Sequence, residues 1–222
     1  MDGREAMDPK VVIARRVAGL IQPGWLVNLG IGLPSMVANY VPAEKQVYFQ
    51  AENGVIGLGA RPPEGMEDAS LTDAGGGFVT AVPGAASIDS AMSFGLIRGG
   101  HLDMTVLGGL QVDEKGRLAN WMVPGRMVPG MGGAMDLAAG ARQVVVAMVH
   151  AAKGESKIVP DCTLPLTAAR RVTAIVTELA LIEPTEAGLV LKERGPGVSV
   201  EEVLAATAAR LIVPGDVPEM VL

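Results

Sequence analysis

Val144-Val145-Val146-Ala147-Met148-Val149 is the longest strongly apolar stretch near the centre of this chain, and it limits the folds open to it. The run falls far short of the ~18 residues that a membrane span needs. Its β-branched content suits a strand. A strand without polar alternation has no face to give to water, so it must be covered on both sides, as strands of parallel sheets are.

The flanking pattern supplies the covering layers. Asp8-Pro9 reads as an N-cap with proline at the first helical position, and Val11, Ala14, Ala18 and Ile21 keep helical spacing until Pro23-Gly24 stops it. Trp25 to Leu29 reads as a strand, Gly30 to Ser35 as a turn, and Pro34 starts a short helix ending near Val41-Pro42. Val47 to Ala51 reads as a buried strand. Residues 60–77, rich in Pro, Gly and acids, form the longest irregular excursion and a candidate mobile active-site loop.

Beyond that loop, Phe78 to Val82 reads as a short strand, Ala85 to Arg98 as a helix, and Leu102 to Leu107 as a strand ending in Gly108-Gly109. Gln111 to Asp136 is turn-rich. After the central strand comes another at Val172 to Val176, continuing toward Ala180. Ser199-Val200-Glu201-Glu202 is a capping box for a last helix through Arg210, with Leu211 to Val213 as a final strand. This alternation predicts one α/β domain over residues 1–222, with a single open, largely parallel sheet, helices on both faces and the site at the carboxyl ends of strands.

A net charge of −6 and a pI near 5.0 argue against a nucleic-acid partner, because phosphates need a basic face. Hydrophobic residues make up 49% of the 222 with no membrane-length run, so the excess must be buried. The single Cys162 allows no internal disulfide, and Met1-Asp2-Gly3-Arg4-Glu5 shows no apolar signal region, so cytoplasmic residence is the expectation. No metal site is expected: His101 and His150 lie far apart in sequence and read most simply as structural. Cys162 lacks a nearby histidine or basic cluster to favour its thiolate. Gly30-x-Gly32-x-x-Ser35 lacks the third glycine of a dinucleotide fingerprint, and there is no P-loop and no Gly-x-Ser-x-Gly elbow.

Glu52-Asn53-Gly54 carries the chemistry. The preceding strand delivers a carboxylate to its end, Asn53-Gly54 is a strong turn pair, and Gly57 and Gly59 allow close approach of backbone or ligand. A carboxylate bordered by small residues, with no second acid, suits a nucleophile toward an activated acyl group. The competing reading is a solvated glutamate beside a tight turn. Gly130 to Gly133 is either a loop only glycine can follow or a set of backbone N–H donors for an oxyanion.

Further segments occur in order around Glu52: Gly30-Ile31-Gly32-Leu33-Pro34, Gly99-Gly100-His101-Leu102-Asp103, Leu118-Ala119-Asn120-Trp121 on to Gly125, Gly130 to Leu137 and Cys162-Thr163-Leu164-Pro165-Leu166-Thr167. Together they resemble the B (beta) subunit of the 3-oxoacid CoA-transferases, the type I family that includes succinyl-CoA:acetoacetate and 3-oxoadipate transferases. The resemblance covers roughly residues 8–215. It implies a fold of the CoA-transferase and sugar-phosphate-isomerase kind, with coenzyme A as a substrate and no tightly bound cofactor. Glu52 would be the nucleophile, passing through an acyl-glutamyl anhydride to a glutamyl-CoA thioester, and Gly133 would supply the oxyanion amide. Asn53, Gly54, Gly30, Gly32, Gly132 and Asn120 are the candidates for substrate contact, Asn120 reading foremost as support for its loop.

The resemblance is to only the C-terminal half of the fused transferases, so it implies a hetero-oligomer with an A (alpha) subunit, acting on acyl-CoA and small carboxylic acids without nucleic acid or membrane. One departure matters. Asp73-Ala74-Gly75-Gly76-Gly77 stands where mammalian-type enzymes tend to have a lysine, which weakens any grip of this loop on the anionic cofactor. Arg61 reads as a solvated arginine, with a substrate clamp as the alternative. A transferase dedicated to 3-oxoadipate, an acyl-CoA hydrolase on the same site, and a non-catalytic ligand-binding subunit remain open alternatives.

Overall fold

A computed structural model describes residues 7–125 and 130–222. Residues 1–6, on which the expectation about a signal region falls, and 126–129 of the turn-rich segment lie outside the described residues. The strands are β1 (Leu26–Leu29), β2 (Tyr48–Gln50), β3 (Val55–Leu58), β4 (Ala81–Ser87), β5 (Met104–Leu107), β6 (Gln111–Asp113), β7 (Leu118–Ala119) and β8 (Gln143–Ala147). They continue with β9 (Ala151–Ala152), β10 (Glu155–Ser156), β11 (Ile158–Val159), β12 (Ala174–Val176), β13 (Ala180–Thr185), β14 (Gly188–Arg194) and β15 (Leu211–Ile212). The α-helices are α1 (Pro9–Leu20), α2 (Ser90–Arg98), α3 (Ala134–Gly140) and α4 (Val200–Ala206).

Ten strands form one sheet in the order β15-β14-β13-β12-β8-β5-β1-β2-β3-β4. The five at its centre, β12, β8, β5, β1 and β2, are mutually parallel, and β13 and β3 run against them. Central β8 shows why. Val144 and Val146 join a core that includes Ile97 of α2, Leu137 of α3 and Val203 of α4, while Val145 and Ala147 join the opposite core with Val12, Ile13 and Val17 of α1. Each face of the strand is thus sealed by helices, as the uninterrupted apolar run demanded.

Helix ends follow their caps. Asp8 Oδ1 accepts the Lys10 N–H at 2.8 Å, and Lys45 Nζ donates to the Ala18 and Ile21 carbonyls at the other end of α1. Ser199 and Glu202 complete the capping box that starts α4.

Several boundaries differ from the sequence reading. Phe78 makes only an isolated bridge with Thr72, and the strand begins at Ala81 and runs through the alanines that local pattern assigns to a helix. Those alanines are small because β3 passes close: a Cβ on Gly57 would fall 2.9 Å from Ala85 Cβ. Helix α2 starts only after Asp89, whose Oδ1 accepts the Met92 N–H. Pro34 opens a 3-10 helix, Leu33–Tyr40. Strand β2 is half-buried rather than buried, with Tyr48 exposed. The strand at Val172 to Val176 does not run on toward Ala180, because Thr177 Oγ1 accepts the Leu179 and Ala180 N–H groups and turns the chain back as antiparallel β13. Helix α3 and strand β14 have no counterpart in the sequence reading.

Candidate active site

The carboxyl ends of the parallel strands converge on one edge. There β2 delivers Glu52, β1 delivers Gly30 to Gly32, and β5 delivers Gly108-Gly109. The β2–β3 turn is tight: Ala51 N–H donates to the Val55 carbonyl and Gly54 N–H to the Ala51 carbonyl. Gly54 has φ +119°, and a Cβ there would lie 2.0 Å from the Ile88 carbonyl oxygen, so only glycine lets the turn press against the chain entering α2. Asn53 Nδ2 donates to the Thr72 carbonyl at 2.8 Å and ties the turn to the long irregular loop.

Glu52 is half-buried, and its Oε1 accepts the Gly133 N–H at 3.2 Å. Gly133 is buried, and a Cβ on it would fall 2.8 Å from Glu52 Cδ and 2.9 Å from both carboxylate oxygens. Gly132, at φ +55°, would place a Cβ 3.7 Å from Oε1. Thus residues 81 apart in sequence meet, and glycine is what lets them.

The other candidates are placed one by one. Gly30 and Gly32 end the strand beside β2; Gly30 N–H donates to the Val106 carbonyl, and Gly32 has φ +84°. Asn120 is turned to the protein: its Nδ2 donates to the Gly108 carbonyl at 3.0 Å and its Oδ1 accepts from Thr167 Oγ1 at 2.6 Å. It holds the loop ending β5, in line with a supporting role. Thr72 and Ile88, partners of Asn53 and Gly54, carried no signal of their own in the sequence, whereas Thr167, the partner of Asn120, ends the segment Cys162 to Thr167.

A cleft of about 730 Å³ opens beside the Glu52-Asn53-Gly54 turn. Leu29, Met36, Phe49 and Leu58 line it together with Ser35, Asn39, Gln50, Arg61 and Asp73, whereas Glu52 does not line it. Exposed Arg61 therefore borders a cleft rather than contacting Glu52 in any described bond. Asp73 Oδ1 accepts the N–H groups of Gly75 and Gly77, so this turn spends its amides on itself. Gly76 adopts φ +79°, a conformation glycine takes freely.

The remaining titratable groups lie elsewhere in the fold. Burial pushes the Cys162 thiol up to about 12, so it stays protonated. His101 is exposed. His150 is fully buried between the Thr177 and Thr207 hydroxyls, each 3.0 Å from a ring nitrogen, and burial pushes its pKa down to about 4. Between the ordinary value of 6.5 and pH 4 the unfolded chain binds a proton here that the folded chain refuses, so stability falls as pH falls through that window. The loss should reach about 3 kcal/mol by pH 4. Thermal midpoints from pH 7.5 to 4 check this: His150→Gln should flatten the acid limb, and identical slopes in both proteins would contradict it. Among the described residues no group of three His, Cys, Asp or Glu side chains could hold a metal, and no helix is long and apolar enough to cross a membrane.

Residues 10–206 match the family model described as coenzyme A transferase. The chain belongs to the coenzyme A transferase family. It is 53% identical to the beta subunit of the acetate CoA-transferase of Haemophilus influenzae, over 96% of each chain. It is 49% identical to the B subunit of a probable succinyl-CoA:3-ketoacid coenzyme A transferase of Bacillus subtilis, over 89% of this chain and 92% of that one. Among solved structures, an acyl-CoA transferase apoenzyme from Escherichia coli O157:H7 superposes on the whole chain with a TM-score of 0.78 at 21% identity. This chain spans 44% of that one, so that likeness speaks for the fold alone. The expected CoA-transferase is met at the level of the family, and the two relatives are named as a beta and a B subunit.

Proposed function

We propose that this chain is the beta-type subunit of a CoA-transferase that moves coenzyme A between a short acyl-CoA and a small carboxylic acid, with Glu52 as the covalent nucleophile. The observation that carries this reading is the 3.2 Å contact between the Gly133 N–H and Glu52 Oε1. At rest the amide fixes the carboxylate. Once Glu52 is acylated or thioesterified, its carbonyl oxygen occupies the place of Oε1, and the same amide stabilises the oxyanion that forms on attack. One donor thus serves every step at this carbon.

The steps balance without an outside energy source. The Glu52 carboxylate attacks the acyl-CoA carbonyl and expels CoA thiolate, giving an anhydride; the thiolate attacks the glutamyl carbonyl, releasing the first acid and leaving the glutamyl-CoA thioester. The incoming acid reverses the sequence. Asn53 and Gly54 hold the turn that aims Glu52, and Gly132 orients Gly133. Gly30 and Gly32 leave the edge beside it open to backbone contact with substrate, while Asn120 supports the neighbouring loop.

An anhydride must be kept from water. Glu52 is half-exposed and lies outside the described cleft, so the missing wall falls to an alpha-type subunit, which would also help to hold the anionic CoA. The names of both relatives, one acting with acetate and one with a succinyl-CoA and 3-ketoacid pair, support substrates of that size. The proposal places the complex in the cytoplasm, with coenzyme A as substrate and no bound cofactor.

The test uses the chain co-expressed with an alpha-type subunit, incubated with acetoacetyl-CoA and quenched with borohydride, which reduces an enzyme thioester to an alcohol. Arg61 precedes proline, so trypsin releases Glu52 within residues 46–98. Reduction confined to Glu52 supports the proposal. An untouched Glu52 while the acyl-CoA is hydrolysed would favour a hydrolase.

A further inference from the structure

A row of polar side chains crosses the parallel centre of the sheet between two apolar rows. Asn28 of β1 is the direct neighbour of Gln50 in β2 and of Thr105 in β5, and all three are buried. Asn28 Nδ2 donates to Gln50 Oε1 at 2.9 Å and to the Gln50 carbonyl at 3.0 Å, and Thr105 Oγ1 donates to Asn28 Oδ1 at 3.3 Å. The row then leaves the sheet: Gln50 Nε2 donates to Ser93 Oγ, fully buried on α2, at 2.8 Å. The rows on either side pair Val27 with Met104 and Leu29 with Val106. Apolar residues would therefore fill this layer without the desolvation a polar row incurs. What hydrogen bonds add is a fixed geometry.

That geometry closes a ring through the candidate site. Gln50 lies two residues before Glu52 and is fastened to α2 through Ser93. Helix α2 is fastened to α3 by Arg98 Nε, which donates to Asp136 Oδ1, and by a backbone approach so close that a Cβ on Gly140 would lie 2.2 Å from the Ile97 carbonyl oxygen. Gly133 is the N-cap of helix α3, and its N–H returns to Glu52. Resting on the covalent role proposed for Glu52, we infer that Gln50 and Ser93 are positioning residues that set the distance between the nucleophile and its oxyanion amide.

Two variants in the complex with the alpha-type subunit test this. Ser93→Ala removes the acceptor while favouring helix, and Gln50→Met/Ser93→Ala also removes the donor, leaving Asn28 Nδ2 its bond to the Gln50 carbonyl but not the one to Gln50 Oε1. Both should lower kcat by about tenfold or more, since small misplacements at a reacting centre are costly, with the KM for acetoacetyl-CoA within about twofold of wild type. The double variant trades one unpaired N–H, on Gln50, for another, on Asn28, so its thermal midpoint should stay near that of the single one and its kcat should stay low. Recovery of kcat in the double variant, or wild-type kcat in Ser93→Ala, would reduce the row to a structural feature and overturn the inference. The borohydride experiment on the wild-type complex separates the two ideas: an adduct on Glu52 with an unaffected Ser93→Ala sinks only the positioning role. No adduct on Glu52 sinks the covalent reading and, with it, this one.

Discussion

Glu52→Gln should abolish CoA transfer, lowering kcat by at least about 10⁴-fold in the complex, on the scale seen when a covalent nucleophile is removed. The substitution changes chemistry and little else. Glutamine keeps the length of the side chain and an acceptor oxygen for the Gly133 N–H, which lies 3.2 Å from Oε1 in the wild type. An amide cannot form the anhydride, so no thioester can follow. Glu52 is half-buried and takes part in none of the ion pairs found among the described residues, so unfolding should shift by no more than about 0.5 kcal/mol. Steady-state transfer between acetoacetyl-CoA and acetate, read beside a melting curve, checks both halves. A variant with several per cent of wild-type turnover would remove Glu52 from the covalent role.

The difference between what the sequence revealed and what it hid follows the reach of each interaction. Val144 to Val149 announced its own environment, because burial on both faces is written in a strand's composition, and the two cores on either side of β8 match it. Caps were equally legible at Asp8 and Ser199, since they depend on residues two or three positions away. Ala85-Ala86 misled for the opposite reason. Alanine favours helix locally, but here its small size serves the close passage of Gly57 on a neighbouring strand, which no local pattern encodes. The turn at Glu52-Asn53-Gly54 could be read from those residues, whereas Gly133 as an amide donor came from resemblance, because the two lie 81 apart in sequence. Asn28 and Gln50 did leave a signal that went unused. They are polar residues inside segments read as strands, and buried polar groups in strands call for partners.

Gly133→Ala should separate geometry from stability. At φ −80° and ψ 0° Gly133 occupies a conformation open to any residue, so the backbone has no objection to alanine. The objection comes from Glu52, because the new methyl would sit 2.8–2.9 Å from its carboxylate atoms. The carboxylate must swing away from the amide, which forfeits both the aimed nucleophile and the oxyanion donor. A fall in kcat of about 10²–10³ is expected, the scale for losing one such donor, with the thermal midpoint unchanged. Gly132→Ala makes the contrast. Its methyl would meet Oε1 at an ordinary 3.7 Å, but φ +55° is left-handed, so the expected cost is about 1–2 kcal/mol of stability with a smaller kinetic effect. If the two variants behaved alike, losing stability in proportion to activity, the glycines would matter only as loop formers, and the 3.2 Å contact would have no part in the chemistry. If kcat falls in Gly133→Ala alone, the absence of that one Cβ is what allows Glu52 and its amide to meet.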